Sequence, residues 1–293
     1  MKSLTFISDF KLRASWGKTG NFLIPNYASI GLLNPYNYTF GNVISNGIAP
    51  TTPSNPTLTW EKNTQTDIGL DMSFLKNRIF ASVDFYRKLT SDLLLNVQVP
   101  AAVGFGNSNP LQNIGEVENK GFEVSLTTHN LVNKFTWTTD FNYSNNRNKV
   151  LKLGASGDPI LSSGGAGIRH ITRIGDPIGS YYGYVVEGIY QTTQEIAAAP
   201  KDALAPKPAP GDFRFKDVNG DGVINANDRT VIGNYQPKYT FGITNRFTFK
   251  GMELSFLIQG VEGAQVLNLT RRHLGNGEAN TNSYAFENNR WRS

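Results

Sequence analysis

The chain has 293 residues, 12% of them aromatic and 17% charged, and its 28 basic and 23 acidic residues give a net charge of +5. The basic residues are scattered, which argues against a nucleic-acid-binding face, and the absence of cysteine excludes disulfides and thiolate metal sites. No apolar run approaches the ~18 residues of a transmembrane helix, and the N-terminal MKSLTFISDF lacks the apolar core of a secretory signal.

The first predicted elements are strands, because apolar and polar residues alternate along the chain. The alternation begins in residues 10–16 (FKLRASW) and returns, after a long connection over 18–59, in residues 64–74. A short LKNR segment at 75–78 then leads into another alternating stretch at 79–88. The last two stretches therefore predict a β-hairpin.

Four more strands are predicted further along the chain. They cover residues 121–127, 135–143, 239–249 and 252–259. In the third of these strands Asn245 interrupts the apolar face, which predicts a β-bulge or a register shift at that position. The chain is therefore predicted to contain seven strands, each with one apolar and one polar face.

The connections between these strands alternate in length. The short ones lie at 75–78, 129–134 and 250–251, and the long ones cover 18–59, 95–115, 150–235 and the residues after about 261. Long loops at one end and tight turns at the other, joining strands of about ten residues, are typical of an outer-membrane β-barrel. We therefore predict that the short turns share one side of the sheet and that the long loops share the other.

The alternative is a secreted β-sandwich binding module, whose strands alternate in the same way. The polar positions carry mostly Thr, Ser, Asn, Asp and Gln rather than the Lys and Glu of a solvent face, and aromatic residues lie near the strand ends. These features favour an all-β, antiparallel, up-and-down transmembrane β-barrel. Seven strands are fewer than the minimum of about eight in a closed membrane barrel, so we expect the chain to be an incomplete barrel.

The stretch DVNGDGVINANDR, Asp217 to Arg229, places oxygen-bearing side chains at alternate positions around Gly222. This spacing matches an EF-hand calcium loop, except that Asp replaces the usual Glu at the twelfth position and shortens the arm. Oxygen ligands suit a hard cation. The sequence therefore predicts a Ca²⁺ site in residues 217–228, with the following ligands: Asp217, Asn219, Asp221, the carbonyl of Val223, Asn225 and Asp228.

The residues that flank this loop do not have the pattern of an EF-hand. Prolines in the upstream APKPAPGDFRF forbid an entering helix, and the downstream residues lead into a strand. The alternative to a metal site is an Asx-rich turn that its own side chains close. In both cases we expect the loop to staple a long connection between two strands rather than to act as a calcium sensor.

The other candidate residues do not form a predicted metal or catalytic site. The three histidines, His129, His170 and His273, share no metal-ligand spacing, and we expect them to be loop residues. Glu116 and Glu118 are two positions apart on a predicted strand, where ion or polar contacts are expected. We find no convergent catalytic group, and we predict that the chain is not an enzyme.

Five stretches carry a resemblance to a known family. They are NPTLTWEKNTQTDIGLDMSFLKNR (55–78), VDFYRKLTSDLL (83–94), NIGEVENKGFEVSL (113–126), GDPIGSYYGYVVEGIY (175–190) and PGDFRFKDVNGDGVINANDRTVIGNYQPKYTFGITN (210–245). In this order they resemble the SusC/RagA family of TonB-linked outer-membrane transporters. The likeness covers nearly the whole chain, and the calcium-like loop lies inside its last stretch.

The resemblance implies that residues 1–293 are a C-terminal portion of a barrel of about 22 strands, without the plug domain and without the first and last strands. Residues 150–235 would be a long extracellular loop that carries the calcium-type loop at 217–228. The family imports oligosaccharides, or sometimes peptides, across the outer membrane of Bacteroidetes-type bacteria. Its partners are a SusD-like surface lipoprotein, outer-membrane lipid and the TonB complex, the last reached through the absent N-terminal part. No substrate-contacting residue is carried over.

Overall fold

The structure is a computed structural model that describes residues 6–96, 110–154, 156–163, 169–275 and 285. The chain forms two compact units. The first comprises Met1–Ile160, Thr172–Ile178 and Pro237–Gly263, and the second comprises Leu161–Ile171, Gly179–Gln236 and Ala264–Ser293.

Nearly all of the regular structure consists of strands. In chain order the elements are β1 (Ile7–Asn21), β2 (Leu33–Pro35), β3 (Tyr38–Phe40), β4 (Val43–Ser45), β5 (Ile48–Pro50), β6 (Glu61–Phe74), β7 (Ile79–Asn96), β8 (Leu111–Val132), β9 (Phe135–Lys152), β10 (Ile160–Ser163), β11 (Arg169–Thr172), β12 (Ser180–Gly183), β13 (Val186–Ile189), α1 (Thr193–Ala198), β14 (Lys201–Asp202), β15 (Phe213–Phe215), β16 (Val223–Ile224), β17 (Thr230–Gly233), β18 (Tyr239–Phe249), β19 (Met252–Glu262) and α2 (Leu269–Leu274). Among the described residues, no helix is long and apolar enough to cross a membrane.

The seven long strands form one antiparallel sheet in the order β1-β6-β7-β8-β9-β18-β19. Each strand pairs with the next long strand along the chain, so the predicted up-and-down order is confirmed. The short turns at 75–78, 133–134 and 250–251 therefore share one end of the sheet. The connections from β1 to β6, from β7 to β8 and from β9 to β18 leave from the opposite end, as predicted.

The turn between β18 and β19 illustrates how the sequence fixes this order. Its two central residues, Lys250 and Gly251, have φ angles of +48° and +81°. Positive φ at both positions is the type I′ geometry, whose twist matches that of antiparallel strands. Gly251 adopts it without steric cost, so the strands are joined by the shortest favourable connection.

The sheet has an apolar face and a polar face. The pairing register aligns one apolar residue from every strand in a row across the apolar face: Phe10, Met72, Ala81, Leu126, Phe141, Ile243 and Ile258. On the central strands Ile68 and Phe85 of this face are 52% and 57% exposed, whereas Ser73 on the polar face is only 5% exposed. The exposed face is therefore the apolar one, the reverse of a sheet in a water-soluble protein.

Aromatic side chains form two rows on the apolar face. The first girdle consists of Phe85, Phe122, Tyr143 and Tyr239, whose successive ring centroids are 6.0, 5.4 and 5.4 Å apart. The second girdle lies nearer the short turns and consists of Phe135, Trp137, Phe247 and Phe256, with centroid distances to Phe247 of 6.1, 5.6 and 6.0 Å respectively. Along β9, Trp137 and Tyr143 are six positions apart, a distance of roughly 20 Å at the usual rise of a strand.

The predicted bulge at Asn245 is wrong. β18 pairs with both of its neighbours in continuous register through Asn245, which faces Thr139 and Phe256. The Asn245 side-chain oxygen accepts hydrogen bonds from the Trp137 indole N–H at 2.9 Å and from the Thr139 hydroxyl at 2.7 Å. Because the neighbouring strand β9 satisfies the polar group of Asn245, β18 keeps its register although an amide lies on the apolar face.

Several strands extend well beyond the predicted ranges. β7, β8 and β9 contain 18, 22 and 18 residues, and most of the additional residues lie at the end from which the long connections leave. Near this end a small core forms around the buried side chains of Val117, Val150 and Leu153. The three strands are therefore longer than the alternation of apolar and polar residues indicated.

The second unit is folded, although its residues were predicted only as a long loop. It contains a sheet of order β10-β11-β12-β17, the pairs β13–β15 and β14–β16, and the helix α1. Ile171, Tyr190 and Ile224 are buried in this unit, with exposures of 3%, 2% and 1%. The connection between β9 and β18 therefore has tertiary structure of its own.

Candidate functional site

The polar face of the main sheet holds a network of charged side chains contributed by three strands. The Arg13 guanidinium on β1 donates to both carboxylate oxygens of Asp71 on β6, at 2.8 and 2.9 Å. It also donates to Asp84 on β7 at 3.1 Å and to the Ser82 hydroxyl at 3.2 Å. Ser82 in turn donates to Asp71 at 2.8 Å. The paired charges fix the donors and acceptors of this face in position.

Gly69 makes this network sterically possible. It lies opposite both Arg13 and Asp84 in the sheet. A Cβ atom at this position would be 2.3 Å from the Asp84 Oδ1 atom and 2.7 Å from the Arg13 Cζ atom. Any larger residue would therefore displace the guanidinium from between its two carboxylates.

Nearer the long connections, amides and hydroxyls replace the charges on the polar face. The Tyr86 hydroxyl donates to the Asn146 side chain at 3.0 Å, and Asn119 accepts from Asn146 and Asn148 at 3.3 and 2.9 Å. Such a surface offers many neutral donors and acceptors to water or to a polar solute. Its chemistry suits the binding and passage of a polar molecule.

The predicted calcium-type loop is closed by its own backbone. Asp217 accepts hydrogen bonds from the N–H groups of Gly220 and Gly222, at 2.7 and 2.8 Å. The Asn219 side chain accepts from the N–H of Asp221 at 3.0 Å, and Asp221 accepts from the N–H of Val223 at 2.8 Å. The turn predicted at Gly222 is present, with a φ of +78°. These bonds make the segment a chain of Asx turns.

Asp228 anchors the base of the loop from inside. Its side chain is fully buried, and its two carboxylate oxygens accept the N–H groups of Val218 at 2.9 Å and of Asn225 at 2.8 Å. The hydrogen bond from the Asn225 backbone lowers the pKa of the Asp228 carboxyl below its usual range, and the bond from Val218 acts in the same direction. Asn225 caps a short 3₁₀ turn over Ala226–Asp228.

The structure brings the six predicted ligand positions together in one loop but divides their roles. Asn219 and Asp221 are exposed, Asp217, Val223 and Asn225 are partly buried, and Asp228 is buried. A carboxylate or amide oxygen that accepts one N–H keeps a lone pair for a cation, so Asp217, Asn219 and Asp221 fit a Ca²⁺ ion. Among the described residues, no three His, Cys, Asp or Glu side chains form a group that could hold a metal, so an ion here would also need amide and carbonyl oxygens.

The flanks of the loop confirm that it is not an EF-hand. The strand β15 precedes it, and the 3₁₀ turn and the strand β17 follow it. β16, inside the loop, pairs in parallel with β14, so that Val223 lies opposite Lys201 and Ile224 lies opposite Asp202. The loop therefore fastens two strand segments of the second unit together.

The remaining candidates are placed as follows. His129 lies within β8 and His170 within β11, so both belong to strands, contrary to the loop positions expected for them. The His129 ring lies 3.3 Å from the Thr138 hydroxyl, and the His170 ring lies 3.2 Å from the Gly179 carbonyl oxygen. His273 belongs to α2, but its side chain lies outside the described residues. Glu118 makes the expected ion contacts, with Arg87 and Lys120.

The Arg13 network was not predicted from the sequence. The sequence does contain a signal for this network. Its three charged residues, Arg13, Asp71 and Asp84, all occupy polar positions of strands in which apolar and polar residues alternate. Finding the network required the register, since a shift of one residue would place each charge on the opposite face.

Comparisons with known proteins agree with this architecture. Residues 3–292 match the model of the family described as TonB dependent receptor-like, beta-barrel. The chain is 35% identical over 99% of its length to TonB-dependent receptor P26 of Formosa agariphila and 30% identical over 88% of its length to TonB-dependent receptor SusC of Bacteroides thetaiotaomicron. It spans 29% and 25% of the lengths of these relatives.

A solved structure of the RagAB peptide transporter is also similar to the chain. It superposes with a TM-score of 0.77 at 28% identity, over 99% of this chain and 31% of the transporter chain. Together with the family match, this similarity confirms the predicted fold class, an antiparallel all-β barrel wall of the SusC/RagA type.

The buried carboxylate gives a prediction about pH. Because the pKa of Asp228 is lower in the folded loop, its contribution to stability is present above the usual carboxyl value of about 3.9 and is lost as the pH falls through the folded pKa. We expect hydrogen-exchange protection of the Val218 and Asn225 amides, corrected for intrinsic rates, to fall in that window.

The control is Asp228→Asn, which keeps one acceptor oxygen but does not titrate. In this variant the protection of the Val218 and Asn225 amides should be lower at neutral pH, and it should not show the fall at low pH that is attributed to Asp228. An equal loss of protection with falling pH in the wild type and in Asp228→Asn would show that Asp228 is not its cause.

Proposed function

The chain belongs to the TonB dependent receptor-like β-barrel family, and from this membership we propose that it forms part of an outer-membrane nutrient importer of the SusC/RagA type. The complete protein takes up oligosaccharides or peptides with a SusD-like surface lipoprotein, and the TonB complex energises it from the periplasm. The chain itself supplies part of the barrel wall and one long extracellular segment.

The exposed apolar face of the main sheet is the observation that carries this proposal. Rows of apolar side chains cover seven strands, with aromatic girdles about 20 Å apart, and a tilted barrel strand crosses a hydrocarbon band of about 25 Å. Lipid is the solvent in which such a face is stable. In the opposite orientation the Arg13 ion pairs would face hydrocarbon, which disfavours charge strongly.

The polar face then lines the interior of the barrel. The Arg13–Asp71–Asp84 network and the amide-rich surface around Asn119 and Asn146 supply hydrogen-bonding groups that water can reach. Oligosaccharides and peptides are polar polymers with many hydroxyl or amide groups, so both match such a surface. The function proposed for the complete protein is therefore transport rather than catalysis.

The orientation follows from the lengths of the connections. In bacterial outer-membrane barrels the short turns face the periplasm and the long loops face the exterior. The turn between β18 and β19 is accordingly periplasmic, and the connection from β9 to β18, which contains most of the described second unit, is extracellular. A SusD-like lipoprotein resides on the same outer side, so the second unit is available to it.

The β-sandwich alternative does not account for the main sheet. In a sandwich two sheets bury their apolar faces against each other. Here Ile68 and Phe85, on central strands, are both more than half exposed, so within the described part of the chain no second layer covers this face.

We also propose that the extracellular segment binds one Ca²⁺ ion at the loop 217–228. Asp217, Asn219, Asp221 and the Val223 carbonyl would hold the ion, while Asn225 and Asp228 keep the loop closed through their bonds to the backbone. Because both oxygens of Asp228, at the last position, accept backbone N–H groups, the ion lacks the bidentate carboxylate of an EF-hand, and the expected dissociation constant is that of extracellular modules, about 10⁻⁴–10⁻³ M. The ion would neutralise the carboxylates of Asp217 and Asp221 and stabilise a turn that is already formed.

Substitutions in the membrane-facing rows test the barrel assignment. Arg at Met72 or Leu126, in the apolar row between the two girdles, should destabilise the complete barrel in bilayers by about 2–4 kcal/mol, because a cation is placed in the middle of the hydrocarbon. Arg at Ser125, adjacent in sequence but on the polar face, should cost less. Folding titrations in lipid vesicles measure both, and equal costs on the two faces would contradict the assignment.

Uptake tests the transport proposal. In the bacterium that carries the gene, deletion of the complete receptor should abolish growth on limiting oligosaccharides or on limiting peptides, while growth on monosaccharides and amino acids is unchanged. Restoring the wild-type gene should restore growth. Unaltered growth on every oligosaccharide and peptide tested would contradict an import function.

Calcium titration tests the metal proposal. Asp221→Ala should abolish calcium-dependent protection of residues 150–235 from proteases, and Asp158→Ala, an acidic residue of the same segment outside the loop, should leave it unchanged. Calorimetry should detect binding near the millimolar range. Protection that is independent of calcium in the wild type would instead identify a self-closed Asx turn.

A further inference from the structure

Four cations lie on the apolar face just beyond the first aromatic girdle. Arg87 and Lys120 occupy the next positions on this face after Phe85 and Phe122, toward the end from which the long connections leave. Arg147 on β9 is directly opposite Lys120. Lys149 is one position further along the same face of β9. We call Arg87, Lys120, Arg147 and Lys149 the basic patch.

The register makes the basic patch electrostatically unfavourable when it is empty. Arg87 faces Lys120, and Lys120 faces Arg147, so three cations stand side by side on three neighbouring strands. Like charges directly opposite each other destabilise a sheet. Anions bound between the cations would relieve this repulsion.

Glu118 supplies only part of that negative charge. Its nearly buried carboxylate lies 2.6 Å from the Arg87 Nε atom and 3.3 Å from the Lys120 Nζ atom. The side chains of Arg87 and Lys120 are nevertheless 63% and 60% exposed, and Arg147 and Lys149 are exposed as well. Four cations against one carboxylate leave an excess of three positive charges that is accessible from outside.

The surface beside the basic patch has the shape and chemistry of a lipid contact. A shallow depression of about 560 Å³ is lined by Thr66, Ile68, Phe85, Arg87, Lys120 and Arg147, among others. Its lining therefore combines apolar and aromatic side chains with three cations. A molecule with a hydrocarbon part and an anionic head complements both halves.

We propose that the basic patch binds the phosphate-bearing headgroup of a lipid in the outer leaflet of the membrane. The inference rests on the proposed barrel, because that assignment places the first girdle at the outer interface. The acyl chains of the lipid lie along Ile68 and Phe85, and its phosphate lies among Arg87, Lys120 and Arg147. Arginine and lysine hold phosphate oxygens through charge-assisted hydrogen bonds.

A binding measurement with the complete receptor in neutral detergent tests the proposal. The probe is fluorescent phosphatidic acid, with diacylglycerol of the same acyl chains as the phosphate-free lipid and inorganic phosphate as the lipid-free anion. The receptor should bind phosphatidic acid, more weakly at high salt. It should bind diacylglycerol much more weakly, and inorganic phosphate should not compete at equal concentration.

The decisive variant is Arg147→Gln/Lys149→Gln, which leaves the ion pairs of Glu118 intact. At about 1 kcal/mol for each cation near an anionic lipid surface, the loss of two should weaken binding about thirtyfold. Lys11→Gln/Lys88→Gln, which removes the same charge from the polar face, should change binding little. Arg147→Lys/Lys149→Arg keeps the charges and should retain binding.

Three results would overturn the proposal. Equal losses in the two double variants would show an effect of net charge alone. Full competition by inorganic phosphate would show a site for free anions rather than for a lipid. Equal binding of diacylglycerol would show a purely apolar contact. If the receptor still imports its nutrient but fails this test, only the lipid site is wrong, whereas failure of the bilayer folding test removes the barrel on which it rests.

Discussion

The backbone hydrogen bonds between neighbouring strands hold the main sheet in one register, and every other property of the first unit depends on that register. Side chains alternate between faces with a period of two, so a slip of one residue would exchange the faces of an entire strand. With the observed pairing, Phe10 through Ile258 form an unbroken apolar row, and Arg13 meets Asp71 and Asp84 on the opposite face. The same pairing sets Arg87, Lys120 and Arg147 side by side.

Much of the main sheet could be predicted from the sequence, because its strands separate an apolar from a polar environment. β18 begins and ends at the predicted residues, Tyr239 and Phe249. β7, β8 and β9 were predicted too short, since stretches such as SNNRNK in β9 are polar on both faces and no longer alternate. Asn245 was misjudged for a different reason. The two hydrogen bonds that satisfy its side chain come from Trp137 and Thr139, which are 108 and 106 positions earlier in the chain.

The candidate site was predictable to a similar extent. The spacing of Asp217, Asn219 and Asp221 indicated the loop and its turn at Gly222, because those bonds are local in sequence. The burial of Asp228 depends on how the loop packs within the second unit, which spacing alone does not encode. The fold of the second unit was missed altogether. Its strands are only two to four residues long, too short for an alternating pattern to be recognised.

The pairing of β9 with β18 has a consequence for the order in which the sheet assembles. Hairpins such as β6–β7 and β18–β19 close over turns of a few residues, whereas β9 and β18 meet only after residues 153–238 have been bridged. The entropic cost of closing a flexible loop rises with the logarithm of its length, and contacts distant in sequence form slowly. A connection that folds by itself behaves as a shorter loop than its residue count indicates. The internal structure of the second unit therefore lowers the entropic cost of pairing β9 with β18, the slowest step in the assembly of the sheet. The hairpins on either side can form before β9 and β18 pair.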